Sequence, residues 1–309
     1  MLRNEAIAKM VSPGQQRPKV AWLHGVIQIW VTRRCDQSCF NCTQGSNLGG
    51  NTGFITPEQF DIACSTLSDY FGVVGMFGGN PALHPEFELL CEIMKTHIPF
   101  ERRGLWCNNP FNHGKKMREI FNPSYSNLNV HLNRAAYDKF KRDWPESMPF
   151  GLKEDSRHSP VFFNMAEVVT DESERWDLIS NCDINQTWSA MIGVFRGQLR
   201  AWFCEIAGSQ SINMQHVTDY PDTGVAVEKG WWKKSINEFS HQIDFHCHRC
   251  GIPLRGYGEL AQSDDNGIET MSEDYVQQLR LKRKGRTIVS EIKPQGLQSV
   301  VSYIGNSHV

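Results

Sequence analysis

The sequence predicts an α/β fold: a partial (β/α) barrel followed by a small module made of a β-hairpin and helix. Three observations carry that reading. Apolar runs of strand length alternate with helical stretches that carry one apolar face, the pattern of a parallel sheet with right-handed crossovers. Five such strand-like runs precede residue 180, which suits an incomplete barrel better than a closed eight-stranded one. At 309 residues, the chain can hold one large α/β domain plus an appendage.

Residues 1–24 read as an N-terminal extension ending in the linker-like Ser12-Pro13-Gly14-Gln15-Gln16. The barrel is expected over 25–180. Val26, Ile27, Ile29, Trp30 and Val31 form its first strand, and a loop with three cysteines follows. Thr56-Pro57-Glu58-Gln59 is a capping box with proline at the first helical position. Behind it Phe60, Ala63, Cys64, Leu67 and Phe71 recur at helical spacing. The run Val73-Val74-Gly75-Met76-Phe77 makes the second strand, and the next helix buries Phe87, Leu90, Cys91 and Met94. Further strands are expected at Gly104–Cys107, Leu128–Leu132 and Val161–Val169, with helices at Lys115–Phe121 and Ala135–Trp144. Cys64 and Cys91 fall on apolar helix faces and read as core thiols. Residues 181–260 form the module, where two strand-like runs flank Arg196-Gly197 as a hairpin. The tail, 261–309, holds the basic run Arg280–Arg286, read as a solvated helix end, and an edge strand at Thr287–Ile292.

A formal net charge of −2 gives no general attraction for nucleic acid or anionic membrane. Neither a signal peptide nor a membrane-length apolar run is apparent, so a soluble cytoplasmic protein is expected. Ten cysteines are too sparse for a disulfide scaffold and fit metal ligation in a reducing compartment.

The cysteine loop is Cys35-x₃-Cys39-x₂-Cys42. Soft thiolates converging from one loop suit an iron–sulfur cluster, and three of them leave one iron open. A structural zinc site would normally need a fourth ligand and favours Cys-x₂-Cys pairs. The loop resembles the signature of the radical S-adenosylmethionine (radical SAM) enzymes. That resemblance implies a 4Fe–4S cluster whose free iron chelates SAM, cleavage of SAM to a 5′-deoxyadenosyl radical, and hydrogen abstraction from a substrate. It also implies a reduced flavodoxin or ferredoxin as electron donor. Gly78-Gly79-Asn80 is similar to the family's Gly-Gly-Glu turn, whose backbone binds the methionine amino group, with Asn80 in place of the acid. Asn41 stands immediately before the third cysteine, where the family carries an aromatic residue for the adenine, and Phe40 is one step earlier. Asn108, and the pair His131 and Asn133, fall at strand ends where the family contacts SAM; plain loop chemistry accounts for them equally well.

Cys182, Cys204, Cys247 and Cys250 supply four further thiolates, enough to close a site. The hairpin between Cys182 and Cys204 would bring those two together. Their order resembles the twitch module, a shortened SPASM domain carrying an auxiliary 4Fe–4S cluster, and is especially similar to that of the 2-deoxy-scyllo-inosamine dehydrogenases, radical SAM enzymes that oxidise a cyclitol alcohol. No cysteine follows in Gly251–Gly256, so one auxiliary cluster is expected, two clusters in all. A zinc site of four thiolates, or one using His246 or His248, is the alternative; both histidines read rather as exposed loop residues. The resemblance implies a small polar substrate such as a sugar or aminocyclitol. Its alcohol would be oxidised with the auxiliary cluster as acceptor of the second electron, and Glu205, beside Cys204, is a candidate base on position alone. A peptide substrate brought by a separate partner, epimerisation, and a noncatalytic iron–sulfur or zinc-binding interaction module are the competing readings.

Overall fold

The computed structural model describes residues 1–17, 25–48, 53–153, 158–254 and 270–279. In chain order the elements are α1 (Arg3–Lys9), β1 (Val26–Thr32), α2 (Pro57–Thr66), β2 (Val73–Gly78), α3 (Phe87–His97), β3 (Arg103–Leu105), α4 (Gly114–Ile120) and α5 (Arg134–Asp143). The second half adds α6 (Glu172–Ser180), α7 (Asp183–Thr187), β4 (Ser189–Phe195), β5 (Gln198–Trp202), α8 (Glu205–Met214), β6 (Val225–Ala226), α9 (Ser240–His246) and α10 (Glu273–Gln278).

Every residue of β1 and β2 is buried, as in a parallel sheet covered on both faces. The sheet order is β3-β2-β1-β4-β5-β6. β1 pairs in parallel with both β2 and β4, and β2 with β3, whereas β5 and β6 join antiparallel. The hairpin closes on Arg196 and Gly197, both at positive φ (48° and 80°), a combination that matches the twist of the flanking strands. It is not a separate sheet: Val26–Ile29 align with Ser189–Ile192, so β4 extends the parallel sheet on the far side of β1.

Beyond β3 the ladder thins to parallel single bridges, Trp106 with Asn127 and Asn129 with Phe150. The fourth expected strand therefore exists only as these contacts around Leu128–Val130, and the fifth position is taken by Phe150. Val161–Val169 forms no strand; it contains the 3₁₀ turn Met165–Glu167, and its Phe162 packs edge-on against Tyr275. An apolar run can serve as buried coil as well as a strand, and periodicity alone does not separate the two.

The capping box of α2 is as expected, with Thr56 accepting from the Gln59 N–H and Gln59 from the Thr56 N–H. Cys64 and Cys91 are fully buried in the core. Phe71 is exposed, because α2 ends at Thr66 and the stripe stops at Leu67.

The ends of the chain depart from expectation. The first 17 residues pack into the body: α1 lies against α6, and the Arg3 guanidinium bonds Asp244 of α9 at 2.7 and 2.6 Å. The Asn185 amide takes both backbone groups of Val11 at 2.9 Å, which pins the expected extension just ahead of Ser12–Gln16. From the expected tail, α10 buries Tyr275, whose hydroxyl donates to the Arg249 carbonyl at 3.0 Å. Arg280–Arg286 and Thr287–Ile292 lie outside the described residues. Among the described residues no helix is long and apolar enough to cross a membrane.

Candidate metal centres

Side chains that act on ligands gather where parallel strands end, and here the ends of β1, β2 and β3 meet around the Cys35–Cys42 loop. The Gly79 N–H donates to the Thr32 carbonyl at 2.8 Å and the Asn80 N–H to the Arg34 carbonyl at 2.7 Å. A Cβ on Gly79 would stand 2.4 Å from the Arg34 oxygen, and one on Gly78, at φ 151°, would stand 2.4 Å from the Thr32 oxygen. The paired glycines thus let the backbone ahead of Cys35 lie directly on the end of β2. This gives Gly79→Val a sharper consequence than crowding a ligand. The cysteine loop should lift from the sheet, so the variant should lose most iron from this site as well as SAM affinity. Full iron content with unchanged half-saturation by SAM would refute this role.

Asp36, which no sequence motif marks, ties the loop to the ends of β2 and β3. Its carboxylate accepts from the Asn80 amide at 3.0 Å, the Asn108 amide at 2.9 Å and the Asn109 amide at 3.0 Å. Asn80 also donates to the Asn109 carbonyl, and its oxygen accepts from the Ala82 N–H and the Cys107 S–H. A glutamate at position 80 could accept but not donate, and it would set a second negative charge against Asp36. Asparagine there is what an acid on the loop requires. The signal available in the sequence is slight: an Asp next to the first cysteine, together with asparagines at two strand ends.

His131 reaches the loop, with Nδ1 3.7 Å from Cys39 Sγ and its ring stacked on His158. Asn133 is turned away to cap α5, its oxygen accepting from the Ala136 N–H at 3.0 Å. Phe40 is partly exposed on the loop. Asn41 is buried at φ 50° and accepts from the Thr270 N–H at 2.9 Å, so it anchors the loop from the other side. Burial pushes the Cys35 thiol up to about 12, opposed by the Gln37 N–H. A bound metal would reverse that by placing positive charge directly at the sulfur.

The second set converges from three junctions: Cys182 between α6 and α7, Cys204 between β5 and α8, and Cys247 with Cys250 on the turn after α9. All four line one buried cavity with Met10, Ile179, Ile184, Phe203 and Ile252 among its walls. Burial raises Cys204 to about 12, although the N–H groups of Ile206 and Ala207 at the start of α8 pull the other way. Cys247 is also driven up, by burial first and then by the neighbouring thiols. Four soft donors in an apolar cavity fit an iron–sulfur cluster. Among the described residues no three His, Cys, Asp or Glu side chains close on one point tightly enough for a single ion.

His246 is not an exposed loop residue. It is buried, with Nδ1 2.8 Å from Gln210 Oε1 and Nε2 2.8 Å from Thr223 Oγ1, which leaves neither nitrogen for a metal. His248 packs edge-on to Trp176. Glu205 is buried at the first position of α8, next to Cys204, and is not among the residues lining the second cavity.

Helix α8 joins the two centres. All ten of its residues are buried. Cys204 precedes it, while Ser209 donates to the Thr43 carbonyl at 2.6 Å and Asn213 to the Gln44 carbonyl at 3.0 Å, just past Cys42. Five residues of helix, a rise of ~7.5 Å, separate Cys204 from Ser209.

No family model matches the chain. Over 72 residues it is 32% identical to a probable GTP 3′,8-cyclase of Methanocaldococcus jannaschii, and the match spans 23% of each chain. Among solved structures it is similar to BtrN in complex with AdoMet and 2-DOIA, with a TM-score of 0.44 and 17% identity over 73% of this chain and 92% of that one. Selenomethionine BtrN in an open conformation gives 0.40 and 12% over 75% and 87%.

Proposed function

We propose that the protein is a radical SAM enzyme that oxidises an alcohol of a small polar molecule, a sugar or aminocyclitol, using two 4Fe–4S clusters. Residues 25–180 would carry the first centre and 181–260 the second, as a twitch module. The observation that carries the reading is the convergence of Cys182, Cys204, Cys247 and Cys250 on one buried cavity, joined by α8 to the loop of Cys35, Cys39 and Cys42.

When bound, the first cluster and SAM supply a carbon radical able to take a hydrogen atom from an unactivated C–H bond. The chain's own residues hold the site for it. Asp36 fixes the loop to the strand ends, Gly78 and Gly79 admit the loop's close approach, and His131 borders Cys39. Four thiolates complete the second site without SAM, so its role in this reading is to accept the electron left after hydrogen abstraction. Glu205, buried beside Cys204, is the candidate to take the alcohol proton. A flavodoxin or ferredoxin would reduce the first centre. BtrN was crystallised in complex with AdoMet and 2-DOIA; a polar cyclic substrate here is a proposal resting on the cysteine order.

The test is anaerobic reconstitution followed by incubation with SAM and a reductant. About eight irons per chain and formation of 5′-deoxyadenosine are expected. Stoichiometric zinc with no more than four irons would remove the second cluster from the reading. Absence of deoxyadenosine from fully loaded protein would remove the enzyme.

A further inference from the structure

Arg17 is a charged side chain in a place that ordinarily excludes one. It is 1% exposed, in the segment expected from the sequence to be an N-terminal extension. One guanidinium nitrogen, Nη1, donates to the Asn185 carbonyl, while Nε and Nη2 have no hydrogen-bond partner. Arginine keeps its proton in proteins, so this is a buried cation with two nitrogens unsatisfied, a costly arrangement unless negative charge stands nearby. Asn185 lines the second cysteine cavity, as does Met10 from the same N-terminal segment. Burial pulls the guanidinium down from its ordinary value, and the groups that pull it back are Tyr70, Cys204, Glu205 and Cys182.

We propose that Arg17, whose Nη1 is held by the carbonyl of the cavity-lining Asn185, is the charge-compensating residue of the second cysteine site and raises the reduction potential of the cluster held there. This rests on the reading that those thiolates bind a 4Fe–4S cluster. Four thiolates around such a core leave a net anion in an apolar chamber. His246, the basic side chain among the cavity's lining residues, is held neutral by burial and has both nitrogens engaged. Net charge and hydrogen bonding near the sulfurs are the protein's levers on the potential of a cluster. A fixed cation favours the reduced, more negative state, which suits a centre that must accept an electron. Glu205 offers Arg17 one negative charge; loading the cavity adds more. On this view the N-terminal segment is part of the electron acceptor and not an appendage.

The experiment is an EPR-monitored redox titration of both clusters in the reconstituted full chain, comparing the parent with Arg17→Met and Arg17→Lys. At the potential where the parent's second cluster is half reduced, Arg17→Met should show a reduced-to-oxidised ratio at least tenfold lower, a shift of about 59 mV for one electron. The first cluster should titrate as in the parent, which serves as the internal control for a sound fold. Arg17→Lys keeps the charge and should lie much closer to the parent. A methionine variant that loads the second cluster and titrates with the parent overturns the proposal. If the methionine variant does not load that cluster, the lysine variant decides: loading with a near-parental ratio supports compensation by charge, and failure to load overturns it. A parent holding only the first cluster's iron is a separate result, which removes the underlying two-cluster reading and this proposal with it.

Discussion

Replacing Cys35, Cys39 and Cys42 together by alanine should halve the iron of the reconstituted protein, from about eight to about four per chain, and abolish formation of 5′-deoxyadenosine. The expectation is sharp because the loop does not depend on its thiols for its position. Asp36 is held by three asparagine amides, the Gly79 and Asn80 N–H groups grip the backbone ahead of Cys35, and Asn41 is tied to Thr270. Hydrogen bonds to a charged group contribute ~1.5–3 kcal/mol each, less where water competes, so the loop should keep its course without metal. The second site is built from α6, α7, β5, α8 and α9 and shares no ligand with the first. It should therefore keep its iron and its spectrum. Loss of all iron would mean that the centres assemble as one unit; surviving deoxyadenosine would mean that SAM is cleaved elsewhere.

Five of the seven candidate cysteines could be singled out because thiolate chemistry is tied to local spacing, whereas Cys182 and Cys204 were paired only through the hairpin between them. A loop of Cys-x₃-Cys-x₂-Cys after a strand and a Cys-x₂-Cys pair declare themselves within a dozen residues. The helices with Phe60, Ala63 and Cys64, or Phe87, Leu90 and Cys91, were legible because one face of each is buried and the period shows it. Legibility ended where a residue's role depends on distant partners. Asp36 has no neighbour in sequence that marks it, since its three amides come from the ends of two other strands. Arg17 fell within the expected N-terminal extension, because nothing local says that Asn185, 168 positions away, will receive its N–H. Val161–Val169 had the composition of a strand but no strand to pair with, since Phe150 had already taken the bridge to Asn129. The hairpin at Arg196-Gly197 was recognised from its turn, but its alignment beside β1 was not, because register between distant strands is written in packing and not in the turn.

Replacing Cys204 by alanine should separate the two halves of the proposed chemistry. The variant should still bind SAM and cleave it to some extent, since the first centre keeps all three thiols and its contacts to β2 and β3. Oxidised product should fall far more steeply, with the ratio of product to deoxyadenosine down about tenfold or more, equivalent to ~1.4 kcal/mol or more of lost coupling. The physical reason is that a substrate radical formed by hydrogen abstraction must still lose an electron, and without the second cluster no nearby group in this reading accepts it. Fold has to be measured alongside, because Cys204 precedes the wholly buried α8, and a collapsed cavity would loosen Ser209 from Thr43 and so disturb the first site. Circular dichroism and SAM affinity at parental values establish that this has not happened. A folded variant that lacks the second cluster and oxidises its substrate at the parental rate would end the acceptor role. A redox-neutral reaction, epimerisation above all, would then account better for a chain in which the radical needs no electron sink.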